Sequence, residues 1–216
     1  MALAWRSGVH AVAVEDDLVL LDETADAYVC LLGGGRVVSR GRGGDLVFTP
    51  PQAADDLLAG GLLEDRDLDG ARETASAMPD RRLARPPVVH VRPFETLVFM
   101  TLAWRVSRAV RHWPMGRLLS ALRADRATAT PRDDGRTLAQ ACAVFDRLIV
   151  WGPFGGACLF RSVLRRRFLM ALGHDADLVI GVRTWPFRAH CWLQVGSTAL
   201  DDWPERLRAY RPILSV

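Results

Sequence analysis

The hydrophobic pattern of this 216-residue chain shifts from short strand-like runs to long helical ones across Pro86-Pro87, and that change limits the folds open to it. Before it, apolar residues come in short runs divided by turn formers. His10–Val14, Leu18–Leu21 and Ala27–Leu31 read as strands, with Glu15-Asp16-Asp17 and Asp22–Asp26 as turns. Gly33-Gly34-Gly35 closes that unit. Arg36–Ser39 reads as a further strand, and Pro50-Pro51 introduces a short helix over Gln52–Leu58 that Gly60-Gly61 ends. Leu62–Arg85 is charged and weakly patterned. From Pro93 the period is helical. One helix carries Phe94, Leu97, Val98, Leu102 and Val106 and breaks near Pro114. A second carries Leu118, Leu119 and Leu122, and a third runs from Thr137 to about Val150. After the Gly- and Pro-rich loop Trp151–Ala157, another begins at about Cys158 and stops at Gly173. Strands are expected at Ala176–Val182, Ala189–Val195 and Ala199–Asp202. Helices first and strands last predict an α+β domain behind a small α+β unit, not alternating parallel-sheet units.

Charge divides at the same point. Residues 1–87 hold 9 Arg against 15 acidic residues and residues 88–216 hold 19 against 10, so the net +3 joins an acidic piece to a basic one. Two domains are therefore expected, 1–85 and 90–216, and the opposite charges are suited to docking them or orienting a charged precursor. Every basic residue is Arg, which a GC-rich genome explains more simply than nucleic-acid recognition; no basic stripe with interleaved aromatics and no zinc-finger spacing is present. Four cysteines make no dense disulfide framework. Met1–Arg6 lacks the apolar run of a signal peptide, and Thr96–Trp104 is too short to span a bilayer. The expected compartment is a reducing cytoplasm, with no membrane and no nucleic acid as partner.

One cysteine stands where chemistry is favoured. Cys158 falls where a Gly-Gly loop meets the first turn of a helix, and N–H groups and the helix dipole there stabilise a thiolate. His190 follows 32 residues on, in a run that alternates as a strand, and Asp202 follows 12 further on, after the Gly196-Ser197 turn. A tight turn pairs those strands antiparallel and makes neighbours of His190 and Asp202. The set is a cysteine triad in the order Cys, His, Asp: nucleophile, base and orienting carboxylate. Cys30, Cys142 and Cys191 fit apolar patterns and read as small core residues. Strand alternation turns Cys191 to the face opposite His190. His10, His90, His112 and His174 belong to no motif, and Arg165-Arg166-Arg167 reads as a solvated helix face. No metal-ligand spacing is present and no cofactor is expected; the loop at Trp151–Gly156 lacks the Gly-Lys-Ser/Thr ending of a phosphate cradle.

These residues carry a resemblance. Ala157-Cys158-Leu159-Phe160-Arg161-Ser162, Arg165-Arg166-Arg167…Gly173, Leu178–Val182, Ala189-His190-Cys191-Trp192-Leu193 and Leu200-Asp201-Asp202 together resemble the lasso-peptide biosynthetic B protein. That family is a leader peptidase of transglutaminase-like, papain-related fold, and the match is densest from Trp151 to Pro212. The resemblance implies a papain/transglutaminase-like cysteine peptidase domain over 90–216. Residues 1–85 are similar to the family's leader-recognition domain, a winged-helix-like fold related to the pyrroloquinoline-quinone chaperones. There the leader adds a strand to the third strand and packs on a nearby helix. Carried onto this chain, those contacts are Ala27, Tyr28, Val29, Cys30 and Leu31, with Leu57 and Leu58. The implied partners are a ribosomal precursor peptide and an asparagine-synthetase-like, ATP-dependent macrolactam cyclase, and a Thr next to the last leader residue serves as a recognition element. Two other readings remain at this point: a non-catalytic leader-binding adaptor, and a transglutaminase-like acyltransferase that replaces water with an amine.

Overall fold

The computed structural model describes residues 2–41, 45–66, 77–128, 135–150 and 158–216. The N-terminal half opens on β1 (Ala2–Trp5), followed by the meander β2 (Val9–Val14), β3 (Asp17–Asp22) and β4 (Ala27–Leu31). These three strands pair antiparallel in the order β2-β3-β4, at the places the sequence predicts. Glu15 and Asp26 take positive φ in the two turns, a conformation that the short Asp side chain tolerates better than the longer Glu. The expected strand at Arg36–Ser39 is instead a single helical turn, α1 (Gly34–Val37), leading into β5 (Val38–Arg40). β5 pairs with β6 (Leu46–Phe48), and α2 (Ala53–Ala59) matches the expected short helix. β7 (Leu63–Arg66) lies in a stretch with weak sequence pattern and pairs antiparallel with β1.

The next strand changes sides. β8 (Arg81–Arg82), from the segment assigned by sequence to the N-terminal unit, pairs in parallel with Thr198–Ala199 of the C-terminal sheet. The helices follow: α3 (Pro93–His112), α4 (Met115–Thr128), α5 (Leu138–Ile149) and α6 (Cys158–Ala171). α3 begins where Glu95 accepts the Arg92 N–H at 2.6 Å, and α6 ends at Gly173, whose φ of +86° suits a glycine. Phe99, Phe145 and Phe168 lock α3, α5 and α6 together, with ring centroids 5.6 to 6.1 Å apart. The chain then forms β9 (Asp177–Arg183), β10 (Arg188–Val195), β11 (Thr198–Ala199), the single turn α7 (Pro204–Leu207) and β12 (Arg211–Ser215). Their sheet runs β12-β9-β10-β11-β8. Leu178, Ile180 and Val182 of β9 face the helices. Val179, between them, faces a smaller cluster with Trp192, Leu207 and Tyr210.

The meander is buried on both faces, which explains why all six residues of β3 are inaccessible. Leu18 and Leu20, with Val29 and Leu31, face the N-terminal core beneath α2. Val14, Val19, Leu21 and Tyr28 face the core of the helical half. One sheet therefore serves as a wall between two cores. Its far end is tied by Glu23, which receives His10 and Arg123 at 2.7 Å each, while the Gly116 N–H donates to the Glu23 carbonyl at 3.0 Å. The charge split recorded in the sequence thus includes a buried ionic tie across the seam.

Candidate active site

The three residues singled out by spacing meet at the start of α6. Cys158 opens that helix and is half-buried. His190 lies on β10, opposite Gly181 of β9. Asp202 is buried and stands three residues beyond β11, which is shorter than the expected strand 199–202. His190 Nε2 lies 2.7 Å from Asp202 Oδ2, and Asp202 Oδ1 accepts the Trp203 N–H at 2.8 Å. With Nε2 committed to Asp202, Nδ1 is the nitrogen left for Cys158, with which the His190 ring also interacts. Trp192 and Tyr210 flank the imidazole at ring-centroid distances of 6.2 and 5.3 Å. Gly181 makes that possible, because a Cβ there would stand 2.6 Å from the Trp192 ring.

Cys191 belongs to this site, contrary to its reading as an inert core residue facing away from His190. Alternation assigns His190 and Cys191 to opposite faces, but Cys158 approaches the strand from its edge. β11 covers β10 only at Gln194 and Val195. Beyond that, the backbone groups on the same side find other partners: Leu193 N–H donates to Asp201 Oδ1 at 2.9 Å and Cys191 C=O accepts from Ser162 Oγ at 3.2 Å. The Cys191 N–H turns to Cys158, as does its thiol. Hydrogen bonds from the Cys191 thiol, His190 and the Cys191 N–H hold the Cys158 thiol down to about 4, against the opposing cost of burial. The paired thiolate and Asp202 push His190 up despite its burial. Cys191 itself is pushed well above an ordinary thiol, first by its bond to Cys158 and then by burial. The two shifts favour a thiolate at Cys158 beside a charged His190.

A second group of residues escaped the sequence reading. Arg165 and Arg166 are buried, not solvated. Arg165 pairs with Asp146 and reaches the Leu200 carbonyl at 3.4 Å; Arg85 binds the same carboxylate at 2.8 Å and the same carbonyl. Two guanidinium groups thus pin the segment that delivers Asp202. The signal was present in the spacing: Cys158, Ser162 and Arg165 stand at i, i+4 and i+7 on one helical face. Together with His190, Cys191, Asp201 and Arg206 they line a cleft of about 290 Å³.

The remaining expected residues lie on the N-terminal half. Ala27–Leu31 form β4, which pairs only with β3 among the described residues and so leaves one edge open. Leu57 is buried against the core that Val29 and Leu31 border, and Leu58 is 40% exposed. Cys30 is exposed rather than in the core, whereas Cys142 is fully buried, as expected. Tyr28 borders the same core as Cys158, and burial pushes its phenol up, with the charges of Cys191 and Cys158 adding to the effect. The loop at 151–157, including the Gly-Gly pair before Cys158, lies outside the described residues. Among the described residues, no three His, Cys, Asp or Glu side chains gather as a metal would require, and no helix is long and apolar enough to cross a membrane.

The thiolate state has a measurable consequence. At about pH 6 a value near 4 gains about three decades of ionised fraction over an ordinary thiol, and lower intrinsic nucleophilicity returns about two. Iodoacetamide should therefore modify Cys158 roughly tenfold faster than the exposed Cys30, whose thiol is shifted up by desolvation. The preference should widen as pH falls toward about 4, because only Cys30 is losing thiolate. Below about 4 the absolute rate at Cys158 falls as well, as it takes up its proton, and the ratio levels off. Equal rates for the two cysteines at about pH 6, read by peptide mapping, would refute the depressed value.

Comparison with known proteins bears on the C-terminal half. A family model described as transglutaminase-like superfamily matches residues 98–215. The chain is also similar to the microcin J25-processing protein McjB of Escherichia coli, with 45% identity over 51 residues. That stretch is 24% of this chain and covers 24% of McjB. No solved structure matches the chain. The family match covers more than half of the chain and contains Cys158, His190 and Asp202. The chain belongs to the transglutaminase-like superfamily.

Proposed function

We propose that this protein is a cysteine peptidase that releases the leader from a ribosomally made lasso-peptide precursor. The observation that carries the reading is Cys158 at a helix start, lowered to about 4 and paired with a His190 that is itself bound to Asp202. Similarity to McjB, named for processing microcin J25, supports a precursor peptide as the substrate class. In this mechanism the Cys158 thiolate attacks the carbonyl carbon of the leader–core peptide bond. A C–S bond forms, and the carbonyl oxygen becomes an oxyanion. The N–H of Cys158, at the unpaired start of α6, is one donor to that oxygen. The C–N bond then breaks, and His190 gives its proton to the departing amine of the core. Neutral His190 next takes a proton from water, whose hydroxide attacks the thioester. The leader leaves as a carboxylic acid and the thiolate returns. Asp202 holds the imidazole in orientation and stabilises its charged form through both steps.

The two halves divide the work. Residues 1–85 serve as the leader-recognition unit, with strand addition at the open edge of β4 and packing against α2, and residues 90–216 serve as the catalytic unit. The freed core amine is the nucleophile that a partner ATP-dependent cyclase needs to close a macrolactam. Incubation with a full-length precursor tests the reading by mass. The expected products are leader acid and core, whose masses sum to the precursor plus one water. Unchanged precursor, or an adduct joined through an added amine, would exclude hydrolysis.

A further inference from the structure

The turn between β9 and β10 carries two aromatic side chains that the chemistry at Cys158 does not use. Trp185 is 73% exposed and Phe187 is 44% exposed. Both are nevertheless fixed in place. Trp185 Nε1 donates to Asp17 Oδ2 at 2.9 Å, and the other oxygen of Asp17 accepts the Gly33 N–H at 2.9 Å. The Phe187 ring meets Tyr28 with centroids 5.4 Å apart. Trp185 also has a φ of +52°, which a bulky residue adopts only where its surroundings impose it. Large apolar side chains held rigidly in water are poised to cover something.

Their position indicates what they cover. Tyr28 stands on β4, whose edge is open among the described residues, and its phenol feels the charges of Cys158 and Cys191. Phe187 ends the turn immediately before β10, four residues ahead of Cys191. At about 3.3 Å per extended residue the two lie within roughly 13 Å of one another. Open edge, aromatic turn and nucleophile are thus close enough together for one short extended peptide to reach all three. A peptide paired on β4 also alternates as β4 does, sending every second side chain toward the face of Tyr28.

Resting on the leader-peptidase reading, we infer that Tyr28, Trp185 and Phe187 form a ledge for apolar side chains of the precursor. The occupied positions lie roughly four residues on the leader side of the bond that Cys158 attacks. The ledge carries the peptide from strand pairing on β4 into the cleft, and its distance from Cys191 fixes which bond arrives there.

Photocrosslinking in the full chain tests this directly. The Cys158→Ala protein holds a precursor bearing benzoylphenylalanine three to five residues before the leader–core bond, and irradiation should join it to Tyr28, Trp185 or Phe187. In the otherwise unchanged enzyme, Trp185→Ala and Phe187→Ala should each lower kcat/KM for the precursor by about tenfold or more. Affinity for a leader-only peptide should change less than about twofold, since strand pairing on β4 is kept. Trp185→Phe keeps a ring and loses the bond to Asp17; crosslinking to its position 185 separates a ledge from a purely structural tie. Normal cleavage with photoproducts elsewhere, or full turnover by both alanine variants, overturns the ledge alone. Failure of the wild-type enzyme to cut the precursor overturns the peptidase reading and the ledge with it.

Discussion

Cys158→Ala is expected to abolish leader release while leaving precursor binding intact. The loss in kcat should reach about four orders of magnitude or more, because removing the nucleophile of a coupled triad leaves only binding and oxyanion stabilisation. Binding is spared because the substitution deletes one half-buried sulfur. The 2.7 Å contact of His190 with Asp202 and the pinning of Leu200 by Arg85 and Arg165 do not depend on it. Titration of the variant with precursor, beside a discontinuous cleavage assay, reads both quantities. Cleavage within tenfold of the wild-type rate would place the nucleophile elsewhere. Loss of binding along with cleavage would mean that Cys158 supports the fold rather than the reaction.

The second large effect concerns stability. Leu20 is fully buried at the centre of β3, opposite Ala11 and Val29. Leu20→Ala should cost about 2–5 kcal/mol and lower Tm by about 5–15 °C in a chain of this size. More informative is the form of the transition. Leu20 faces the N-terminal core, but Val19 and Leu21, its neighbours in the same strand, sit in the core of the helical half. Loosening β3 therefore loosens both cores, and calorimetry should show one transition moved as a whole. Two transitions, with only the lower one shifted, would show that the halves melt independently.

Much of this arrangement was readable from residues alone. The grouping of Cys158, His190 and Asp202 was legible because helix start, strand alternation and tight turn are local patterns, and each constrains where one side chain goes. The meander and the four long helices emerged for the same reason. What stayed hidden depends on non-local encounters. β1 and β7 pair across some sixty residues, and neither Ala2–Trp5 nor Leu63–Arg66 alternates strongly enough to declare itself. Cys191 was misread because alternation describes the faces of a strand, whereas Cys158 arrives at its edge. The edge is open there only because β11 ends at Ala199. Arg165 and Arg166 look solvated as a triple-Arg run; Asp146 and the Leu200 carbonyl receive the first, and the carbonyls of Ala176 and Leu122 receive the second at 3.0 Å each. No inspection of the run itself reveals those acceptors.

The wall between the two cores also sets a rule for exchanging parts between related enzymes. Transplanting residues 1–85 of another protein onto this C-terminal half carries two surfaces at once, one exposed to solvent and one committed to the seam. A transplant that alters Val14, Val19, Leu21, Tyr28 or Glu23 presents a mismatched surface to α4 and to the turn bearing Trp185. One that varies the open edge of β4 and the outer side of α2 leaves the seam complementary. On the proposal that residues 1–85 bind a leader, new preferences are to be grafted strand by strand on the outer side, with the inner side kept as this chain has it.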